Sequence, residues 1–124
     1  MTTWKPEELS LIEKTHDLYV APFREDGVTV GTPTQTWALV VDGNVYVRAA
    51  NGPTSRWYQA AVSQGAGQIR VAGTLYDVTF EADDDSPEAA IDAAYKAKYP
   101  SDPTSVRHML GADPKKAVVR ISPR

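Results

Sequence analysis

Two arginines stand on either side of a Gly-Pro turn in "YVRAANGPTSRWYQA", Tyr46 to Ala60, and Trp57 and Tyr58 follow the second directly. A guanidinium is a permanent, planar fork matched to phosphate and carboxylate oxygens. Arg56 falls in the first turn of an expected helix, whose unpaired amides also favour an anion. Arg48, Arg56 and the helix start could therefore form an anion seat, with Trp57 or Tyr58 as a flat wall for a ring system. Each residue also has a plainer role. Arg48 can pair with a carboxylate on a neighbouring strand, such as Asp77 or Glu81. Trp57 has the i, i+3, i+4 spacing with Ala60 and Ala61 that packs a core, and Tyr46 and Tyr58 can pack likewise. A cation at a helix start is mismatched with the dipole, which tilts Arg56 toward a bound anion. For Arg48 the residues alone leave both roles open.

Other chemistries find no support. The chain has no cysteine, which removes disulfides, thiolate catalysis and cysteine-based zinc sites. His16 and His108 are far apart and lack metal-ligand spacing, so both are expected on the surface. Asp83 to Asp85 lack the glycine and distal glutamate of a calcium loop and are expected to form a solvated loop. "GAGQIR" has neither the lysine of a phosphate loop nor the serine of a nucleophile elbow. Lys115, Lys116, Arg120 and Arg124 gather near the C-terminus, but 16 acidic against 13 basic residues give a net charge of −3. That balance argues against nucleic acid as a partner.

The chain is one domain's worth of sequence, 124 residues at 42% hydrophobic. Its longest aliphatic run, "ALVV", is far short of a membrane span, and "MTTWKPEELSLIEK" lacks the apolar core of a signal peptide. A cytoplasmic location without membrane partners is expected.

The elements that must position the arginines follow from local patterns. Thr2 or Thr3 can cap a first helix with Pro6, Glu7 and Glu8 in its opening turn, ending near His16. "DLYVAPF", the turn "REDG" and "VTVG" suggest a first hairpin. The loop "TPTQT" leads to "WALVV", which Asp42-Gly43 joins to "NVYVRAA" in a second hairpin. There Val45, Val47 and Ala49 face the core, while Tyr46 and Arg48 lie outside, to be covered by a helix, a second subunit or a ligand. Thr54 or Ser55 caps a helix that ends before Gly65. "QIRVA" and "TLYDVTFEA" are strands. Ser86-Pro87-Glu88 opens a helix on which Ile91, Ala94, Tyr95 and Tyr99 share a face and Asp92 and Lys96 can pair outside. Asp102-Pro103 opens another before Val106, Met109 and Leu110, and "AVVRI" is a final strand. Short antiparallel strands with inserted helices close most simply as a mainly β (α+β) split barrel of about six strands with three or four short helices.

"TWKPEEL", "REDG", "TPTQTW", "VYVRAANG", "SRWYQAA", "AAYKAKY" and "RISP" resemble the bacterial domain-of-unknown-function 2255 family over nearly the whole chain. More distantly, the hairpin, the Gly-containing loop and the "RWYQAA" helix resemble the split-barrel proteins that bind flavin or deazaflavin. Among these are the pyridoxamine-phosphate-oxidase-like and deazaflavin-dependent nitroreductase groups. That resemblance implies an oxidoreductase of small molecules with FMN or a deazaflavin as cofactor. Arg48, Ser55 and Arg56 would then hold the phosphate, while Thr34, Thr36, Trp37 and Trp57 border the ring. It also implies a homodimer, to whose shared site Lys98 contributes. The spaced Arg and Lys set of the oxidase group is incomplete here. The alternative is a barrel without redox chemistry, or without any cofactor, that binds a small anion or dimerises through the same surface. No catalytic residue and no metal ligand are assigned.

Overall fold

The computed structural model describes residues 3–124. Helix α1 (Pro6–Lys14) begins at Lys5, with Glu7 and Glu8 in its first turn and the Glu8 carboxylate accepting from the Lys5 amide at 2.8 Å. Pro6 presets the first helical φ and Glu8 satisfies the amide in front of it, so no threonine cap is needed. Thr2 lies outside the described residues.

Strand β1 (Leu18–Pro22) pairs with β2 (Thr34–Thr36) rather than with the "VTVG" segment, where only the single bridge Phe23↔Val30 forms. The reason is Asp26, whose carboxylate takes the amides of Val28 and Thr29 and ties them into a turn instead of a ladder. The strand therefore falls on the "TQT" of the expected loop.

Strand β3 (Ala38–Val41) turns at Asp42 and Gly43, both at positive φ, into β4 (Asn44–Arg48). Two such residues define the turn that matches strand twist, as Asp-Gly predicts. A single 3₁₀ turn (Gly52–Thr54) leads to α2 (Arg56–Gln64), which stops at left-handed Gly65. Then come β5 (Ala66–Val71), β6 (Thr74–Ala82), α3 (Glu88–Lys98), α4 (Pro103–Met109), the short α5 (Ala112–Lys115) and β7 (Val118–Pro123). Asp102 caps α4 by accepting from the Ser105 amide. The expected strand and helix numbers are thus exceeded by β2 and by α5, a single turn too short to show a helical period.

The sheet is antiparallel throughout, in the order β2-β1-β5-β6-β7-β4-β3. Its two end strands are consecutive in the chain, separated by Trp37 alone. Adjacent Cα atoms are about 3.8 Å apart, so the two ends of the sheet must come together and the sheet curls into a nearly closed barrel. At one point β5 passes so close to β1 that only glycine fits, since a Cβ at Gly67 would stand 2.5 Å from the Ala21 carbonyl oxygen.

Two apolar cores result from strand alternation. Val20, Val45, Val47, Ile69, Val78 and Ile121 fill the barrel, closed by Ile12 of α1, Ala61 of α2 and Trp4, whose indole donates to the Ile121 carbonyl at 2.8 Å. The opposite parity of β3 and β4, Leu39, Val41 and Tyr46, packs outside the barrel under Ile91, Tyr95 and Tyr99 of α3 and Val106 and Met109 of α4. The helix cover expected over Tyr46 and Arg48 is α3 together with α4. Each fully buried aliphatic side chain of this kind contributes about 1.5–3 kcal/mol.

Candidate functional site

The corner between β2 and β3, the end of β4, the start of α2 and one face of α4 line an open cavity of about 780 Å³. It brings together every residue that the resemblance places at the site except Lys98, while Tyr58, the other aromatic offered as a wall, packs on the barrel core instead. Thr34, Thr36 and Trp37 come from the corner, Arg48 from the end of β4, and Ser55, Arg56 and Trp57 from the start of α2. No acidic residue is among those that line it, although the chain as a whole is acidic.

The start of α2 lacks a side-chain cap. Ser55 occupies the N-cap position and is only 9% exposed, yet its side chain makes no capping bond. The first amides of the helix are thus left without the partner that an N-cap serine normally supplies. Arg56 is exposed and has no carboxylate within 4.0 Å among the described residues. Positive charge, amide donors and a hydroxyl therefore converge on one end of the cavity.

Arg48 sits differently. Its side chain has no exposed area; Nη1 donates to Asp92 Oδ1 at 2.6 Å and to the Met109 carbonyl at 3.1 Å. Nη2 donates to the Glu88 carbonyl at 3.4 Å, and the guanidinium lies 5.4 Å from the centre of the Tyr95 ring. Nε makes no hydrogen bond among the described residues. Lys115 approaches the other oxygen of Asp92 at 3.4 Å. Strand carboxylates are not its partners: Asp77 meets Gln68 and Arg124, and Glu81 meets Arg120. Nor does Asp92 pair with Lys96, because the buried guanidinium takes it. Arg48 thus stands at the edge of the cavity with its charge paired to Asp92.

Trp37 is stacked on Tyr99 with centroids 3.9 Å apart and planes 8° from parallel, and His16 meets both rings edge-on. One face of the indole is thereby covered and the rest of the ring borders the cavity. The Thr36 hydroxyl is engaged by the Leu18 carbonyl at 2.8 Å, whereas Thr34 is exposed. Trp57 is half-buried, packing on the barrel core and lining the cavity at once.

Lys98 lies away from the cavity, its ammonium donating to the carbonyls of Ile12 at 3.0 Å and Ala38 at 2.7 Å. Burial lowers its pKa from 10.5 to about 8, outweighing the attraction of Glu13 and Asp17. Between pH 8 and 10 the unfolded chain therefore binds more protons than the folded one, and stability rises with pH. Above about pH 10 the sign reverses. Burial raises the pKa of both Tyr95 and Tyr99, so they stay protonated in the fold while unfolded tyrosines ionise. Urea midpoints measured from pH 7 to 11 should climb and then fall, and Lys98→Met should abolish the climb alone. A flat profile for the parent chain would contradict this assignment.

His108 also lines the cavity, with Nε2 2.7 Å from the Ala50 carbonyl. The carbonyl can only accept, so Nε2 carries the proton. Sequence reasoning placed His108 on the surface; it is exposed, but toward the site. Its partner is far off in the chain and gave no signal, although Ser105, one helical turn earlier, also lines the cavity.

Residues 8–121 match the profile of the family described as "Uncharacterized protein conserved in bacteria (DUF2255)". The chain belongs to that family. No curated protein matches it. Among solved structures, the family fold seen here is similar to the conserved hypothetical protein Rv2991 from Mycobacterium tuberculosis. The two share 18% identity at a TM-score of 0.63 over 99% of this chain and 82% of that one. It is also similar to the FAD and heme binding protein from Mycobacterium smegmatis. Here the identity is 16% and the TM-score 0.52, over 98% of this chain and 66% of that one. At such identities the likeness concerns the fold. Among the described residues no helix of this DUF2255 chain is long and apolar enough to cross a membrane, and no cluster of metal-ligating side chains occurs.

Proposed function

We propose that the cavity holds a flavin or deazaflavin and that the chain is an oxidoreductase acting on a small molecule. The observation that carries this is the start of α2, where a buried serine leaves the helix amides uncapped beside an unpaired arginine, in a cavity with no acid. The volume of about 780 Å³ lies within the roughly 300–1,000 Å³ usual for ligand sites. Ser55, Arg56 and the first amides of α2 would take the phosphate. Trp37 and Trp57 would border the ring and keep water from it, with Thr34 at the rim. Arg48 holds α3 and α4 against β4 through Asp92 and the Glu88 and Met109 carbonyls. The bound group itself supplies the hydride chemistry, so the chain needs no nucleophile or acid-base pair of its own. The fold shared with an FAD and heme binding protein supports the proposal. Lys98 is left out of the proposed set because two backbone carbonyls hold its ammonium.

One observation favours a second reading, a barrel that binds a small anion, or dimerises, without redox chemistry. With Arg48 committed to Asp92, the exposed guanidinium of the set is Arg56, fewer cations than a nucleotide phosphate usually meets. Titration of the purified protein with FMN and with a deazaflavin, followed by fluorescence and by sedimentation, separates the two. Saturable quenching with either cofactor supports the first reading. Binding of inorganic phosphate without either cofactor supports the second, and no binding of any of the three refutes both ligand-binding readings.

A further inference from the structure

A second concave site lies between the end of α3 and α4, with Tyr99 but not Trp37 in its lining. Tyr99, Pro100, Pro103, Val106 and Leu110 make it apolar, and its volume is about 340 Å³. Lys96 and Arg107 complete its lining, and no acidic residue does. Both cations are exposed, and neither has a carboxylate within 4.0 Å among the described residues. Lys96 is free for a specific reason. On an isolated helix Asp92, four residues before it, would be its natural partner. In the fold that carboxylate turns to Arg48 at 2.6 Å and to Lys115 at 3.4 Å, which leaves the ammonium unpaired beside an apolar wall.

We propose that this groove binds a small amphipathic carboxylate, a medium-chain or single-ring acid. Its apolar body lies on Val106 and Leu110 and its carboxylate between Lys96 and Arg107. The long stems of both cations can follow the apolar wall and deliver their charges to the rim, and a carboxylate accepts hydrogen bonds from both heads together. The groove stands at the lower end of the roughly 300–1,000 Å³ range of ligand sites, which suits a single acid and excludes a dinucleotide. Tyr99, shared with this groove, stacks on Trp37, which lines the larger cavity. The proposal is independent of any cofactor.

The test is an amide-resolved NMR titration of the full chain with octanoate, with octanol as the uncharged control. Shifts should appear at Tyr99, Val106 and Leu110, and octanol should bind more weakly. The Lys96→Ala/Arg107→Ala double variant changes only exposed side chains and should weaken octanoate binding about tenfold, while Arg56→Ala should leave it unchanged. Shifts confined to Ser55–Trp57, equal affinity for octanol, or an unaltered double variant would each overturn the proposal. So would shifts that follow protein concentration without octanoate, because they would put a second copy of the chain in the groove.

Discussion

Asp92→Ala is expected to lower the unfolding free energy by about 3 kcal/mol, a large share of the 5–15 kcal/mol typical of a domain. The substitution strands the Arg48 guanidinium, which has no exposed side-chain area and already carries one nitrogen without a partner among the described residues. Breaking a buried pair from one side usually costs about 3–5 kcal/mol, because the remaining charge is neither solvated nor compensated. The lower end applies because Asp92 is 24% exposed, so some water can reach the vacated space. Removing both charges should be milder: Arg48→Met with Asp92→Leu leaves no buried charge unpaired, and only the Met109 and Glu88 carbonyls lose a donor. Urea unfolding of the three chains measures the difference. A loss below about 1 kcal/mol for Asp92→Ala would show that the pair behaves like a surface ion pair. Arg48→Met that abolished cofactor or anion binding while keeping full stability would make the arginine a ligand contact instead of a clamp on α3 and α4.

Arg56→Ala should do the reverse, weakening FMN or phosphate binding about 10- to 100-fold, the worth of one charge-assisted contact, without loss of stability. Its guanidinium stands in the first turn of α2, where the helix dipole opposes a cation by about 0.3–1 kcal/mol. Alanine there should hold the melting temperature or raise it slightly. A residue whose removal stabilises the fold and weakens the ligand is held there for binding. Arg56→Lys should recover part of the affinity, since it restores charge but not the fork. The affinity of the parent chain should also fall with added salt, as it does for exposed charge pairs. Equal binding by Arg56→Ala and the parent chain would remove the phosphate seat from the start of α2.

Local rules carried a good deal of the architecture. Asp42-Gly43 announced its hairpin, Gly65 and Asp102-Pro103 announced helix ends, and the alternation of Val45, Tyr46, Val47 and Arg48 assigned inside and outside correctly. What escaped was decided by partners distant in the chain. Thr34–Thr36 has no apolar alternation and is a strand because β1 lies beside it. The choice of Asp92 between Lys96 and Arg48 depends on α3 docking over β4, and His108 meets Ala50 only once α4 has folded across the cavity. Resemblance grouped Thr34, Thr36, Trp37, Ser55, Arg56 and Trp57, and the cavity brings the same residues together. Lys98, which the resemblance gives to a site shared between subunits, bonds Ile12 and Ala38 across α1 and β3 within this chain.

Trp37 is the single residue between the two ends of the sheet. Register on both sides is set by pairing, Leu18↔Thr36 on one and Ala38↔Val47 on the other. Adding or deleting one residue there would invert every side chain of whichever strand gave way, sending Val40 and its neighbours to the wrong face. The Arg24–Thr29 tip, held by Asp26, ends in one bridge and answers to no such ladder. Insertions and tags therefore belong at the tip, and the spacing from Thr34 to Val41 is a fixed length on which both the barrel and the cavity wall depend.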